Sequence, residues 1–533
     1  MSRRARLAAV LLTAVMAAGS VIAVPTSAHA ATPSTDEQWR AAGCGFASTT
    51  PVPDGSLPAV SMPPAAPWNI GAMTRTHWAQ PAVADPTWRL WFYSLRWTRP
   101  VAKRAYDDGQ TRTLAKVLSQ IDSFYRLHPD TGKPLMGWDE GTSLRRLETL
   151  NCLYILTGDP RLERHMAAEV AVQFSPRYYG PPYAPVHNHG LMANLRVKHA
   201  GELTGRRDWV DRSRARIHSE SALAFTRQGT SVEQSSDYHL INRTMWLDAA
   251  NRLEASSPGD PVAKDIRARM EKAAVVGRWL TAPDGDLVQI GDSRRTPGLR
   301  PLGTERARAF RDDEAGLIAG RWSWTDPDTS HYTLRYGPAR WAHGHHDKGA
   351  VTWSTAGTRV LVGPGYFSYD WSDRFAARAR TAQAQNASWP VRGRLDVRAS
   401  AIARYGEGNT ANRHVWRVSD RVYGVSRSRT VQVEDPARRL VVTDAYPART
   451  AIRQSWHLDP AWDLVNVRGR TLNLRHADGR TLQITTTGTI VSHRKGSTNP
   501  LEGWNYPGPR QRTQNWQITL GGSGTMTTTF TVR

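Results

Sequence analysis

The chain has 533 residues and a mass of 59.3 kDa, with 40% hydrophobic residues, 22% charged residues and two cysteines. This is the composition of a globular protein of roughly two to four domains; it excludes a collagen, a coiled coil, a wholly disordered chain and a disulfide scaffold. The net charge of +23, from 70 Lys and Arg against 47 Asp and Glu, suits a polyanionic partner: nucleic acid, an anionic membrane or an acidic polysaccharide. It reads equally as a general arginine bias with no partner behind it.

The N-terminus opens MSRRAR, runs mostly apolar over 7–24, and meets Pro25 and then Ala28-His29-Ala30. A positive head, an apolar stretch and an A-x-A site make residues 1–30 a signal peptide. No later stretch approaches the ~20 apolar residues of a membrane span. The expectation is a secreted, extracellular protein, with no membrane contact after signal cleavage and no nucleic-acid partner. An acidic polysaccharide is then the natural polyanion. Export also permits a disulfide, for which Cys44 and Cys152 are the candidates.

Residues 31–70, rich in Pro, Ala, Ser and Thr, read as an extended leader. From Trp88 to Leu280 the period is helical. Within 111–125, Leu114, Val117, Leu118, Ile121 and Phe124 recur at helical spacing, and 144–156, 189–203 and 238–253 behave alike. Breaks at His128-Pro129-Asp130, Thr157-Gly158-Asp159-Pro160 and Tyr179-Gly180-Pro181-Pro182 separate them. Repeated helices of this length with short breaks suggest a helical toroid or bundle. After Gly298 the period changes. Residues 332–336 alternate, 351–362 read as a hairpin around Ala356-Gly357, and 439–443, 471–474, 481–486 and 527–532 read as strands. This half reads as an antiparallel β-sandwich.

Four constellations carry chemistry. Val186-His187-Asn188-His189-Gly190 places Asn188 and His189 at a helix N-terminus, where free N–H groups favour anions and a His can move a proton near neutral pH. Glu233-Gln234-Ser235-Ser236-Asp237-Tyr238-His239 opens another helix, with Ser235, Ser236 or Asp237 as cap and Tyr238 in or near the first turn. Trp341-Ala342-His343-Gly344-His345-His346-Asp347 would put His343, His345 and Asp347 on one face of an extended strand, a geometry suited to a metal or a substrate. In Trp138-Asp139-Glu140-Gly141, with Arg145 after it, Trp138 can stack on a sugar and Arg145 can pair with a carboxylate. Each segment taken alone also has a structural reading, as a helix cap beside a core His or Tyr, as solvated polar residues in a loop, or as an Asp–Arg pair at a helix start.

Taken in order, WDEGTSLR (138–145), NHG (188–190), EQSSDYH (233–239), GDS (291–293) and HGHHD (343–347), followed by Val362-Gly363-Pro364-Gly365, resemble the heparinase II/III-like polysaccharide lyases. The resemblance implies an α+β multidomain protein: an incomplete (α/α) toroid over 71–298, then an antiparallel β-sandwich over 299–533. It implies β-elimination on a uronate-containing anionic polysaccharide. Asn188 would neutralise the carboxylate, Tyr238 and His189 would share the base and acid roles, and His343 would assist from the β-domain. Trp138, Asp139, Arg145, Glu233 and His345 are the expected substrate-binding residues. Many family members hold a structural zinc. Here His345 fits one ligand position, but the other two fall on Gly363 and Gln385, so no family-type zinc and no other cofactor is expected. Two rival readings stand beside the lyase. One is an inverting glycoside hydrolase using Asp139 or Glu140 with Glu233 or Asp237; the other is a glycan-binding protein without turnover.

Overall fold

A computed structural model describes residues 34–62, 65–70, 73–79, 81, 83, 85–133, 135–176, 178, 187–339, 341–397 and 409–533. The expected signal segment 1–30 and the Pro-rich loop 179–185 lie outside the described residues. The first part is helical: α1 (Thr35–Ala41), α2 (Arg75–Ala79), α3 (Pro86–Tyr93), α4 (Thr98–Asp107), α5 (Thr111–Leu127), α6 (Glu140–Thr157), α7 (Pro160–Gln173), α8 (Asn188–Thr204), α9 (Arg207–Ala224), α10 (Ser236–Ser256) and α11 (Pro261–Trp279). The leader is therefore not wholly extended. Ser34 and Glu37 form a reciprocal cap that starts α1, and Trp39 buries its face.

Local chemistry sets the helix ends. Gly158, at φ 58°, closes α6; Asp159 then caps α7, with Pro160 in its first turn. Two residues thus reverse the chain. Val117, Leu118, Ile121 and Phe124 of α5 are buried as their spacing predicts, each contributing about 1.5–3 kcal/mol of transfer free energy. Cys44 and Cys152 are bridged, tying the segment after α1 to α6.

The second part is antiparallel. The strands β1 (Ala309–Asp312), β2 (Leu317–Arg321), β3 (His331–Arg335), β4 (Val351–Thr355) and β5 (Thr358–Leu361) form one sheet in sequence order. The predicted hairpin is β4–β5, turning at Ala356-Gly357. A four-stranded sheet contains Thr489–Lys495, Trp516–Ser523, Ala451–His457 and Ser388–Pro390; a seven-stranded sheet includes Arg427–Glu434, Arg439–Ala445 and Thr525–Val532. All three sheets feed one core, with Tyr332 and Trp353 from the first, Trp456 and Ile518 from the second, and Val431 and Phe530 from the third. The fold is α+β.

Candidate active site

Three loops from distant parts of the sequence close on one another at the start of α10. Ser235 caps α10 by accepting from the Tyr238 N–H, 3.2 Å away. Ser293 Oγ lies 3.0 and 3.1 Å from the hydroxyls of Ser235 and Ser236 and accepts from the Asp237 N–H. Gly291 adopts φ 61°, and a Cβ there would sit 2.4 Å from Gln234 O and 2.6 Å from His343 O. The GDS segment can therefore lie between the EQSSD and HGHHD segments only with glycine at its first position. This joins the helical and β parts.

Asn188 opens α8, and His187 precedes it as N-cap, its side chain accepting from the His189 N–H. Glu233 holds Asn188 in place. The Asn188 N–H donates to Glu233 Oε1 at 2.7 Å and its Nδ2 to Oε2 at 3.3 Å. Glu233 is 2% exposed, and burial pushes its carboxyl up to about 7. Its other neighbour is His343, whose Nε2 lies 3.5 Å from Oε2. The His343 ring stacks on Tyr238 at 3.4 Å between centroids. Tyr238 Oη is 2.8 Å from Tyr369 Oη, which is 3.0 Å from His343 Nδ1. Burial raises both phenols. Asn188 and His343 thus meet at Glu233, and Tyr238 joins them through the His343 ring. His189 faces the same region from the first turn of α8, its Nδ1 3.2 Å from Glu140 Oε1.

Behind His343 sits Asp292. Its carboxylate meets His343 Nδ1 at 3.1 Å and His345 Nε2 at 2.9 Å, and it pairs with Arg380. Burial would raise this carboxyl, but the two histidine hydrogen bonds and the Arg380 charge hold it well below the usual carboxylate range. The HGHHD segment is a loop rather than an extended strand, and Ala342 just before it takes φ 40°. His343 and His345 converge on Asp292, whereas Asp347 turns to Arg335 at 3.4 Å.

The expected substrate-binding residues have other employment. Trp138 is 1% exposed; its Nε1 donates to His128 O and its ring is covered by Phe124 and the Arg146 guanidinium, leaving no face for a sugar. Trp138 precedes α6, and nothing in its local sequence reveals that it covers the buried Arg146–Glu169 pair. Asp139 caps α6 through the Thr142 N–H. Glu233 orients Asn188 rather than facing the cleft. His345 is 1% exposed, with both ring nitrogens engaged. Arg145 remains beside His189. Tyr369, Arg380 and Glu140 complete the site, and only Glu140 lay in a motif picked out for chemistry.

Among the described residues, Glu140, His187 and His189 offer metal-ligand atoms within 4.8 Å of one another. However, α6 and α8 both begin here, so two helix N-termini direct their N–H dipoles at this point. That field opposes a cation and favours a carboxylate.

No family model matches the chain, and no curated protein matches it. Solved structures do. A heparinase III shares 15% identity, with 83% of this chain and 76% of that chain covered and a TM-score of 0.64. A heparan sulfate lyase mutant from Pedobacter heparinus shares 14%, over 93% and 87%, with a TM-score of 0.61. The chain has the fold of the heparinase-like polysaccharide lyases. A xanthan lyase from Paenibacillus shares that fold more remotely, at 11% identity and a TM-score of 0.51, over 89% of this chain and 55% of that one.

Proposed function

We propose that the chain is an exported polysaccharide lyase that cleaves a uronate-containing anionic polysaccharide by β-elimination. Residues 71–298 are read as an incomplete (α/α) toroid and residues 299–533 as an antiparallel β-sandwich. The observation that carries the reading is that Asn188 and His343 both meet Glu233, with Tyr238 stacked on His343. Asn188 spends one amide hydrogen on Glu233 and keeps one for the substrate carboxylate. Donating there stabilises the negative charge that develops as the C5 proton leaves. Tyr238 and His189 take the base and acid roles. The base removes the C5 proton, the C5–H electron pair becomes the C4=C5 double bond, the C4–O4 bond breaks, and the leaving O4 takes a proton. His343, held by Asp292, packs Tyr238 in place.

The carboxylates an inverting hydrolase would use are largely committed elsewhere. Asp139 caps a helix, Glu233 is buried against Asn188, and Asp237 is paired with Arg294. The lyase reading therefore stands ahead of it. No family-type zinc belongs to this reading. His345 donates from Nε2 to Asp292 and accepts at Nδ1 from Gln385 Nε2, 3.3 Å away, so its ring has no lone pair to give a metal. A Cβ at position 363 would lie 1.9 Å from Gln289 O, so an aspartate does not fit there either. Secretion is supported by the signal-like N-terminus and by the Cys44–Cys152 bridge.

The test is the ultraviolet absorbance of an unsaturated uronate during incubation with a panel of uronate polysaccharides. Absorbance should rise on at least one of them, and Tyr238→Phe should lower kcat by at least about 100-fold while leaving the folded state intact. New reducing ends without absorbance would replace the lyase with a hydrolase.

A further inference from the structure

Beyond the catalytic end, α6 and α8 run side by side in one direction. Glu140 meets His189 at their starts, and Asn151 reaches Arg196 O further along. Two turns in, about 10 Å from His189, one carboxylate faces a crowd of cations. Glu148 accepts from Arg196 Nη2 at 2.9 Å, Arg99 Nη1 at 3.0 Å and Arg96 Nη2 at 3.4 Å. Burial would raise its carboxyl, but these three guanidiniums lower it to about 2. Arg145, one turn nearer the catalytic end, has no carboxylate partner among the described residues; its Nη1 donates to Gly141 O at 2.7 Å. A Cβ on Gly141 would lie 3.4 Å from both Arg145 Nη1 and His189 Cε1, so guanidinium and imidazole flank the same glycine. Arg145 therefore links the cluster to the neighbourhood of His189.

Three other buried arginines are matched one to one, Arg146 with Glu169, Arg427 with Asp420 and Arg429 with Asp444, while Arg321 is buried and hydrogen-bonds to carbonyls alone among the described residues. Here three guanidiniums share one carboxylate, and Arg145 adds a fourth with only a carbonyl partner among the described residues. They are partly shielded, with Arg96, Arg99 and Arg196 side chains 27%, 12% and 22% exposed, so their repulsion is weakly screened. Burial and the Arg96 and Arg196 charges bring Arg145 down to about 10. Arg96 Nε is buried without a hydrogen-bond partner. A cavity of about 270 Å³, lined in part by Glu148, Asn151, Met192 and Arg196, borders the cluster. Unbalanced cations held this way destabilise the fold and call for an anion.

We propose that Arg96, Arg99, Arg145 and Arg196 form a subsite for a second acidic group of the glycan, a sulfo group or a carboxylate on a sugar beyond the one that undergoes elimination. The inference rests on the anionic-glycan reading above. It assigns these arginines to binding, with no part in proton transfer.

Two measurements test it, one of them without turnover. Sodium sulfate should raise the melting temperature of the full chain more than sodium chloride at equal ionic strength, and Arg99→Gln/Arg196→Gln should lose that difference. In kinetics, the same double variant should raise KM on the order of tenfold while kcat stays within about twofold. Comparing a sulfated substrate with its chemically desulfated form separates the two sources. A KM effect confined to the sulfated form assigns a sulfo group, and an equal effect on both assigns a carboxylate. Should the double variant fail to fold, Arg145→Gln decides. Relieving the repulsion should raise the melting temperature, yet KM should still rise, a combination that a structural role would not give. Unchanged KM on every substrate, or no sulfate-specific stabilisation, overturns the subsite. Sulfate binding through these arginines without any elimination would overturn the lyase reading and keep the subsite; elimination with unchanged KM in the variants would do the reverse.

Discussion

Glu233 accepts two hydrogen bonds from Asn188, lies 3.5 Å from His343 and carries a carboxyl that burial pushes up to about 7 from an ordinary 4.5. The fold tolerates it protonated better than ionised. Its contribution to stability is therefore full below about pH 4.5 and is lost as the pH rises towards 7, an effect on the order of 3 kcal/mol. Glu233→Gln cannot ionise. Between pH 5 and 8 the melting temperature of the unaltered protein should fall more steeply than that of the variant, and parallel curves would refute the assignment. Activity should move the other way. A glutamine amide would set its NH₂ against Asn188 Nδ2, two donors face to face, so Asn188 must turn out of the position from which we propose it binds the substrate. We expect kcat/KM to drop at least about tenfold, measured on whichever substrate gives the ultraviolet signal.

At the scale of elements, the sequence placed most helices and strands because their signals are local. Gly158-Asp159-Pro160 writes a helix stop and a helix start into three residues, and Ala356-Gly357 writes the β4–β5 turn. Asn188 and Tyr238 were legible for the same reason, since a first-turn position follows from the cap beside it. What was not legible is tertiary. Nothing local tells that Trp138 roofs a buried Arg146, or that the HGHHD loop kinks at Ala342 so that His343 and His345 share Asp292. Arg380 follows α12 (Arg374–Ala379), a short helix that no motif marked. Its guanidinium pairs with Asp292 and lies 3.8 Å from the Trp371 ring centroid, while its carbonyl accepts the His346 N–H at 3.0 Å. One residue thus braces the support of His343 from both sides. Arg380→Met should lower kcat about tenfold or more with little change in KM, and Arg380→Lys should restore part of it. Activity and melting temperature should both survive EDTA, because the brace is a side chain. Loss of both on chelation would reinstate a metal.

At the scale of the whole molecule, the excess positive charge and the single disulfide act over distances that no motif spans. A net charge of +23 raises the encounter rate with an anionic polymer, and added salt screens it. The bridge works through the unfolded chain. Cys44 and Cys152 are 108 residues apart in sequence, so their link removes much of the freedom of the unfolded helical part, a stabilisation of about 2–5 kcal/mol. Cys152 lies 12 residues beyond Glu140 on α6, about 18 Å from the catalytic end of that helix. Its loss should therefore leave the geometry of Asn188, Glu233 and Tyr238 intact while weakening the frame that carries them. Cys44→Ser/Cys152→Ser should lower the melting temperature by several degrees, and activity well below that temperature should match the bridged protein. An unchanged melting temperature would mean that α1 and the segment after it hold their place on α6 by packing of Trp39 and its neighbours alone. Lost activity in a folded variant would mean that the N-terminal segment reaches further into the cleft's support than its burial indicates.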